Sequence, residues 1–185
     1  DKCCDLNHRP ALPWHHTQES MQQALFVSIG EELYGLGERF TPLVRNGQQL
    51  DIWNRDSGTG YDHSYKSVPF YLSSRGYGVL VNTPGYVSFE VASESVRNVV
   101  FHVESETLSY LVTGGEDPKD ALSHYTALTG RSPVPPAWSF GLWLSTSWQT
   151  DYSVDVVREM FRKMKEYEIP LSVFHYDAGW MKPYH

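Results

Sequence analysis

Seven short runs rich in β-branched and aromatic residues constrain the fold of this chain more than any other feature. Turn residues such as Asn46-Gly47, Arg75-Gly76 and Pro84-Gly85 separate them. Short strands joined by turns bury one face each, which favours two packed sheets over one open sheet. We therefore predict an antiparallel β-sandwich over residues 1–115, in which the stretch to about Gln23 is a polar, extended lead-in. The runs are ALFVSI (24–29), EELYGL (31–36), PFYLSS (69–74), YGVLVN (77–82), VSFEVA (87–92), VVFHVE (99–104) and TLSYLV (107–112).

A helix and a proline-rich linker are predicted over residues 116–136. Asp117 is a helix N-cap residue, Pro118 suits the first helical position, and Gly130 stands where a C-cap glycine belongs. The segment RSPVPPAW (131–138) carries three prolines, which exclude a helix or a central strand, so we place a domain boundary there. One face of the helix is predicted to consist of Ala121, Leu122, Tyr125 and Leu128.

The remaining residues, 137–185, favour parallel α/β structure. The apolar run SFGLWL (139–144) predicts a strand, a helix is expected from Ser153 to Tyr167, and LSVFHY (171–176) predicts a strand buried on both faces. Strand, helix and strand in this order form a βαβ unit. A complete (β/α)₈ TIM barrel needs about 250 residues. We therefore predict a truncated chain, in which a sandwich precedes the first βαβ unit of such a barrel.

Charge and cysteine content exclude several function classes. The chain has a net charge of -7 and a pI near 5.6, so we expect neither nucleic-acid nor anionic-membrane partners. No apolar run approaches a membrane span, and the amino terminus has no signal pattern. Cys3 and Cys4 are adjacent and form no disulfide framework, which indicates a reducing, cytoplasmic compartment. The histidine spacing fits no metal site, and we expect no metal and no cofactor.

Candidate binding residues follow the two predicted parallel strands, because the loops at the carboxyl ends of such strands converge on one crevice. Asp177 comes directly after LSVFHY and either faces that crevice or has a structural role, capping a loop or pairing with an arginine. Aromatic rings stack on sugar C–H faces and a carboxylate binds vicinal hydroxyls, so Asp with Trp is a sugar-site combination. The tryptophans concerned are Trp143, for which core packing is the stronger alternative, Trp148 and Trp180.

A second candidate is the long polar segment from Asp51 to Tyr65, DIWNRDSGTGYDHSY. It is too polar for a strand and too long for a tight hairpin. Long loops with aromatic and charged residues are frequently functional, although a surface Ω-loop fits these grounds equally well. Asp56 is its candidate residue. The glycines of Tyr34–Glu38 indicate a bend or a bulge rather than a dinucleotide site.

Several of these segments together resemble the α-xylosidases of glycoside hydrolase family 31. They are YGLGERF (34–40), WNRD (53–56), PFYLSSRGYGVLVN (69–82), RSPVPPAWSFGLWLSTSW (131–148) and LSVFHYDAGWMK (171–182), in that order. The resemblance implies a retaining α-glycosidase that removes terminal non-reducing α-linked xylose or glucose from oligosaccharides. It implies a β-sandwich, a (β/α)₈ catalytic barrel and further β-domains.

The resemblance also implies roles for individual residues. Asp177 matches an aspartate at the end of the second barrel strand that binds hydroxyls of the non-reducing sugar. Trp148 matches an aromatic residue on the loop after the first barrel strand, where the family pattern more usually has Phe. Asp56 matches an acidic residue on a sandwich loop toward the leaving group. The family's nucleophile and acid/base are aspartates on later strands, past the end of this chain, so the 185 residues alone are expected to be inactive.

One departure bears on specificity. After Asp177 the α-xylosidases usually have Cys-Phe, whereas Ala178-Gly179 stands here. Smaller residues leave room for the hydroxymethyl group of glucose, so we expect weaker discrimination against glucosides. The alternative function, from a different class, is that of a non-catalytic carbohydrate-binding β-sandwich module. The sequence leaves open whether the full-length enzyme is a homo-oligomer.

Overall fold

The computed structural model describes residues 20–54, 66–145 and 153–177. The chain divides into two compact units between Arg131 and Ser132, and each is described by itself. In the first unit the described elements are β1 (Met21–Phe26), β2 (Leu33–Gly35), β3 (Gln48–Ile52), β4 (Phe70–Ser73), β5 (Tyr77–Val81), β6 (Val87–Val91), β7 (Asn98–Val103), β8 (Tyr110–Gly114) and α1 (Pro118–Thr129). No helix in the described ranges has the length and apolar character needed to cross a bilayer.

The strands of the first unit form two antiparallel sheets. One has the order β1-β7-β6-β3 and the other the order β2-β4-β5-β8. In β7, buried residues alternate with partly exposed ones, as expected of a strand with one covered face. The antiparallel β character predicted from the seven runs is therefore confirmed.

Side chains from both sheets contribute to one hydrophobic core. The ring of Tyr71 on β4 meets that of Phe89 on β6 edge-to-face, with centroids 6.3 Å apart, and Phe89 also packs on Phe101 of β7 at 5.7 Å. The first contact joins residues of different sheets at aromatic-pair distance, and the second joins neighbouring strands of one sheet. The buried members of the core are Val27, Leu33, Leu36, Leu50, Ile52, Tyr71, Val79, Val81, Val87, Phe89, Val91, Val99, Phe101 and Val103.

Two strands differ from the sequence-based prediction. Strand β1 begins at Met21, inside the segment interpreted as a lead-in, and ends at Phe26. It stops there because Ser28–Glu31 form a turn in which Gly30 has φ +74° and the Ser28 N–H donates to the Glu31 carboxylate. Strand β3 was not predicted, and the segment interpreted as a loop from Asp51 in fact begins inside it.

Helix α1 matches its predicted boundaries. The Asp117 carboxylate accepts the N–H groups of Lys119 and Asp120 at 2.7 and 3.0 Å, and Gly130 has φ +107° at the C-cap. The predicted apolar face is only half right. Ala121 is buried, and the ring of Tyr125 stacks on that of Phe70 with centroids 3.9 Å apart. The packed face of the helix is therefore centred on Ala121 and Tyr125, and Leu122 and Leu128 are exposed.

A buried carboxylate joins the turn after β1 to the second sheet. Glu31 is 4% exposed and accepts hydrogen bonds from Ser73 Oγ at 2.5 Å, Tyr77 Oη at 2.6 Å and the Ser28 N–H at 2.8 Å. Burial acts to raise the pKa of Glu31, but these hydrogen bonds and the Arg75 charge outweigh it, so the pKa lies below 4.5. Burial and the hydrogen bond to Glu31 raise the pKa of Tyr77 to about 12.

This carboxylate makes stability depend on pH. A pKa that is lower in the folded state stabilises the fold above the ordinary value of 4.5, and that contribution is lost as the pH falls further. We expect the urea midpoint of the chain to drop between pH 7 and pH 3.5. In Glu31→Gln, the urea midpoint is expected to drop less over the same pH range. The free energy of unfolding of this variant at pH 7 should be about 1–3 kcal/mol lower than that of the wild type. The control is Glu94→Gln at an exposed position, for which the urea midpoint should fall with pH as much as in the wild type. An equal fall of the midpoint in all three proteins would contradict the role of Glu31 in the pH dependence.

The second unit contains a pair of parallel strands and a helix. A 3₁₀ turn at Ala137–Phe140 precedes β9 (Leu142–Leu144), and α2 (Val154–Glu166) lies in sequence between β9 and β10 (Leu171–Phe174). The strands pair in parallel, with Leu171 opposite Leu142 and Phe174 opposite Leu144. Gly141 is required here, because a Cβ atom at this position would overlap the side chain of Ser172.

Three predictions for this unit need correction. The 3₁₀ turn includes Trp138, within the segment expected to be non-helical, and Phe140, within the segment expected to be a strand. Residues of β10 are half-buried or exposed, although a strand buried on both faces was predicted. Among the described residues, β10 has one neighbouring strand and packs through Phe174 on Phe161 of α2 at 5.6 Å, which leaves its other edge uncovered.

Candidate functional site

The carboxyl ends of β9 and β10 lie side by side. The His175 N–H donates to the Leu144 carbonyl at 2.8 Å, which extends the parallel pairing one residue past β10. Ser145 follows β9 and the partly buried Asp177 follows β10, so both leave the strands at the same edge. This edge is where the sequence pattern predicted a carboxylate, because parallel strands bring their carboxyl ends together.

Trp143 lies in β9, opposite Val173. Its indole is 51% exposed in the described structure, and Nε1 donates to the Ser139 carbonyl at 3.0 Å. The ring of Trp138 is 6.1 Å away. The indole nitrogen is therefore held within its own unit, while part of the ring remains accessible.

The other predicted binding residues lie outside the described residues. They are Asp56, Trp148, Ala178, Gly179 and Trp180. The carboxylate and the aromatic groups of the predicted sugar site are thus represented in the described chain by Asp177 and Trp143.

A cavity of about 430 Å³ opens in the first unit at the end of β3. Its polar groups include the Asn54 side chain, which accepts the Ser67 N–H at 3.1 Å, and the buried Ser67 hydroxyl, which has no hydrogen-bond partner in the described structure. The ring of Trp53 is half-exposed and lies 6.5 Å from that of Tyr86. The lining residues are Ile52, Trp53, Asn54, Ser67, Pro69, Thr83, Pro84 and Gly85.

The cavity combines groups that suit a neutral polyhydroxylated ligand. An aromatic ring offers an apolar face, and amide and hydroxyl groups both donate and accept hydrogen bonds. Sequence analysis missed Trp53, Asn54 and Ser67 as cavity residues, since Asp56 alone was singled out in this segment. The available signal was a Trp-Asn pair directly after an alternating Leu50/Ile52 pattern.

Two family models match the chain, one on each unit. The model of the glycosyl hydrolase 31 N-terminal galactose mutarotase-like domain matches residues 5–90, and that of the glycosyl hydrolases family 31 TIM-barrel domain matches residues 132–185. The order of the models agrees with antiparallel sheets followed by a parallel strand pair. The chain belongs to glycoside hydrolase family 31.

Within this family the chain is similar to α-xylosidases. It is 51% identical to α-xylosidase XylQ of Lactiplantibacillus pentosus over 93% of its own length, and 52% identical to an α-xylosidase of Emericella nidulans over 86%. It spans 23% and 20%, respectively, of the lengths of these two relatives. A solved family 31 dextranase of Flavobacterium johnsoniae, complexed with isomaltotriose, superposes with a TM-score of 0.77 at 28% identity, over 90% of this chain and 21% of that one.

Proposed function

We propose that this chain is part of a retaining α-glycosidase that removes terminal non-reducing α-linked xylose from oligosaccharides. The observation that carries the proposal is the identity of 51% and 52% to two α-xylosidases over most of the chain. The edge at which Asp177 follows β10 supports it, because barrel glycosidases build their active sites from residues after the strands.

The proposal includes the finer architecture. Residues 1–115 form a β-sandwich, residues 116–136 a helix and linker, and residues 137–185 the start of the barrel, with β9, α2 and β10 as its first βαβ unit. The core shared by the two antiparallel sheets supports the sandwich. The parallel register of β9 and β10 supports the βαβ unit.

In this proposal, Asp177 binds the sugar that is to be released. An ionised carboxylate accepts hydrogen bonds from two neighbouring hydroxyls, and such charge-assisted bonds are stronger than neutral ones. Trp143, Trp148 and Trp180 offer aromatic faces to the sugar ring. Asp56 acts on the side of the leaving group.

Bond cleavage requires a second set of groups. Retention of configuration needs two carboxyl groups about 5–5.5 Å apart, one as nucleophile and one as acid/base. Asp56 and Asp177 are assigned binding roles instead. We place the two catalytic carboxylates outside these 185 residues, in agreement with the family pattern.

Substitution of Asp177 tests the proposal in the full-length protein that carries this chain. We expect the wild type to hydrolyse p-nitrophenyl α-xyloside and to accept the α-glucoside as well, because Ala178-Gly179 leaves space for a hydroxymethyl group. Asp177→Asn is expected to lower kcat/KM for both substrates roughly 10- to 100-fold, the value of one charged hydrogen bond. The measurement is the release of p-nitrophenol.

The matched control is Asp155→Asn on α2, whose carboxylate is 96% exposed. It should keep the wild-type rate. Full activity of Asp177→Asn would remove Asp177 from the site, and a wild type inactive on both substrates would overturn the proposed function. A strong preference for the xyloside would refute the specificity argument from Ala178-Gly179.

A further inference from the structure

The pair Asn46-Gly47, a turn signal in the sequence, directly precedes β3. We propose that Asn46 is a site of spontaneous deamidation that the folded first unit protects, and that the modified chain is less stable. The inference does not depend on the proposed function, because it concerns contacts within the first unit. Asn46 is the only asparagine in the sequence that is followed by glycine.

Deamidation at such a pair is an intramolecular reaction. The backbone nitrogen of Gly47 gives its proton to a base from the solvent and attacks the side-chain carbon Cγ of Asn46. A bond forms between these two atoms, the Cγ–Nδ2 bond breaks, and Nδ2 leaves as ammonia after it takes a proton from water. Water then opens the resulting succinimide at either carbonyl, which gives aspartate or isoaspartate. Glycine favours the attack because it has no side chain to obstruct it.

The fold withholds the attacking nitrogen. The Gly47 N–H donates to the carbonyl of Val91, the last residue of β6, at 2.6 Å. A backbone amide with such a hydrogen bond loses its proton to solvent when the structure opens locally, which is the basis of protection in hydrogen exchange. Deamidation needs the same loss of the proton. We therefore expect Gly47 to react in molecules in which its contact with β6 is broken.

The side-chain amide of Asn46 is fixed as well. Its Oδ1 accepts the Leu33 N–H at 2.9 Å, and its Nδ2 donates to the Glu31 carbonyl at 2.9 Å. Departure of Nδ2 removes the donor to Glu31, and the new bond from Cγ to the Gly47 nitrogen draws the amide out of the position that these two hydrogen bonds hold. The reaction therefore works against three hydrogen bonds of the folded state.

Neither product suits this position. Aspartate still accepts the Leu33 N–H, but an ionised carboxylate has no proton to donate to the Glu31 carbonyl, so that carbonyl loses its partner. Isoaspartate adds a methylene group to the main chain just before β3. Because β3 starts to pair with β6 at Gln48 and Val91, the added group disturbs the register of that pairing.

Peptide mass spectrometry of the full-length protein that carries this chain tests the protection. The protein is incubated at mildly alkaline pH, either native or in concentrated guanidinium chloride, and is then digested with pepsin at acid pH, where the reaction stops because the amide nitrogen keeps its proton. We expect deamidation of Asn46 to be roughly 10- to 1000-fold slower in the native protein, because open minor states are populated at about 0.1–10%.

Asn82 and Asn98 are internal references in the same digest. Threonine and valine follow them, and a β-branched side chain obstructs the attack, so both should deamidate slowly even in guanidinium chloride. Equal rates at Asn46 in native and unfolded protein would overturn the protection. A rate at Asn46 in guanidinium chloride no faster than that at Asn98 would overturn the site itself.

A variant tests the effect on stability. Asn46→Asp carries the aspartate product, and we expect it to lower the thermal midpoint of the full-length protein by about 2–4 °C. Asn82→Asp makes the same change at an exposed position and should keep the wild-type midpoint. An Asn46→Asp protein that does not fold, beside a folded Asn82→Asp protein, supports the inference too, whereas a wild-type midpoint for Asn46→Asp contradicts the loss of stability.

Discussion

Replacing Phe89 by alanine is expected to lower the free energy of unfolding by about 3–5 kcal/mol. Phe89 on β6 is 0% exposed and its ring contacts those of Tyr71 and Phe101, so the truncation removes a contact between sheets as well as one within a sheet. The cavity left behind cannot collapse, because paired strands hold its walls at a fixed spacing. Urea denaturation of the chain, followed by near-ultraviolet circular dichroism, measures the loss.

Phe40→Ala provides the matched control for this prediction. The Phe40 side chain is 65% exposed, so its truncation should change stability by less than about 0.5 kcal/mol. A Phe89→Ala protein that loses no more than this control would show that Phe89 is not part of a tightly packed core.

The second large effect is expected for Arg45→Met, which should lower the free energy of unfolding by about 3 kcal/mol or more. Arg45 is 4% exposed, and burial lowers the pKa of its guanidinium. The guanidinium donates to the carbonyls of Gly35, Pro42 and Gly37 at 2.9, 2.9 and 3.3 Å, and to Thr41 Oγ1 at 2.6 Å. Methionine preserves much of the volume but removes all four hydrogen bonds, including those to the partly buried carbonyls of Gly35 and Gly37.

Arg131→Met separates burial from hydrogen bonding. Arg131 also donates to two side chains, Thr126 and Ser123, but it is exposed, so water replaces the lost partners and the change should stay below about 1 kcal/mol. Thermal and urea unfolding of both variants make the comparison. Equal losses for Arg45→Met and Arg131→Met would contradict a special role for the buried guanidinium.

Alternating patterns allowed most strands of the first unit to be predicted, because one buried face leaves a period of two in the sequence. Strand β7 is the clearest example, with Val99, Phe101 and Val103 buried in alternation. Strand β3 was missed because QQLDI has a single β-branched residue, Ile52, and no aromatic residue, and because it contains aspartate, which is depleted in strands. Its buried positions, Leu50 and Ile52, nevertheless keep the alternation.

The candidate site could be predicted only where it follows from local sequence. Asp177 was predicted as a binding residue because it comes directly after an apolar run, and the position of a residue relative to a strand end is a local property; its place after β10 agrees with that run, and its binding role stays a prediction. The cavity of the first unit could not be found in this way. Its walls are residues 52–54, Ser67, Pro69 and residues 83–85, which are brought together by strand pairing and by the Asn54–Ser67 hydrogen bond.

The burial of the charged residues Arg45 and Glu31 could not be predicted from the sequence either. Nothing in the sequence separates Arg45 from the exposed Arg97, or Glu31 from the exposed Glu32 beside it. Their burial depends on which backbone carbonyls and hydroxyls surround them after folding. A buried charged residue is stable only with such partners, and the partners of Glu31 at Ser73 and Tyr77 are more than forty positions away.

The strand order of the first unit has a consequence for biosynthesis. Among the described strands, β1 pairs only with β7, so Ala24 cannot pair until Val100 has been synthesised. The second sheet is completed only by β8 at Tyr110–Gly114. The hairpins β4–β5 and β6–β7 are local, but both sheets close through non-local pairings, which fold slowly. A ribosome must therefore release nearly the whole unit before β1 finds its partner, and until then this strand is a free edge exposed to chaperones and to other nascent chains.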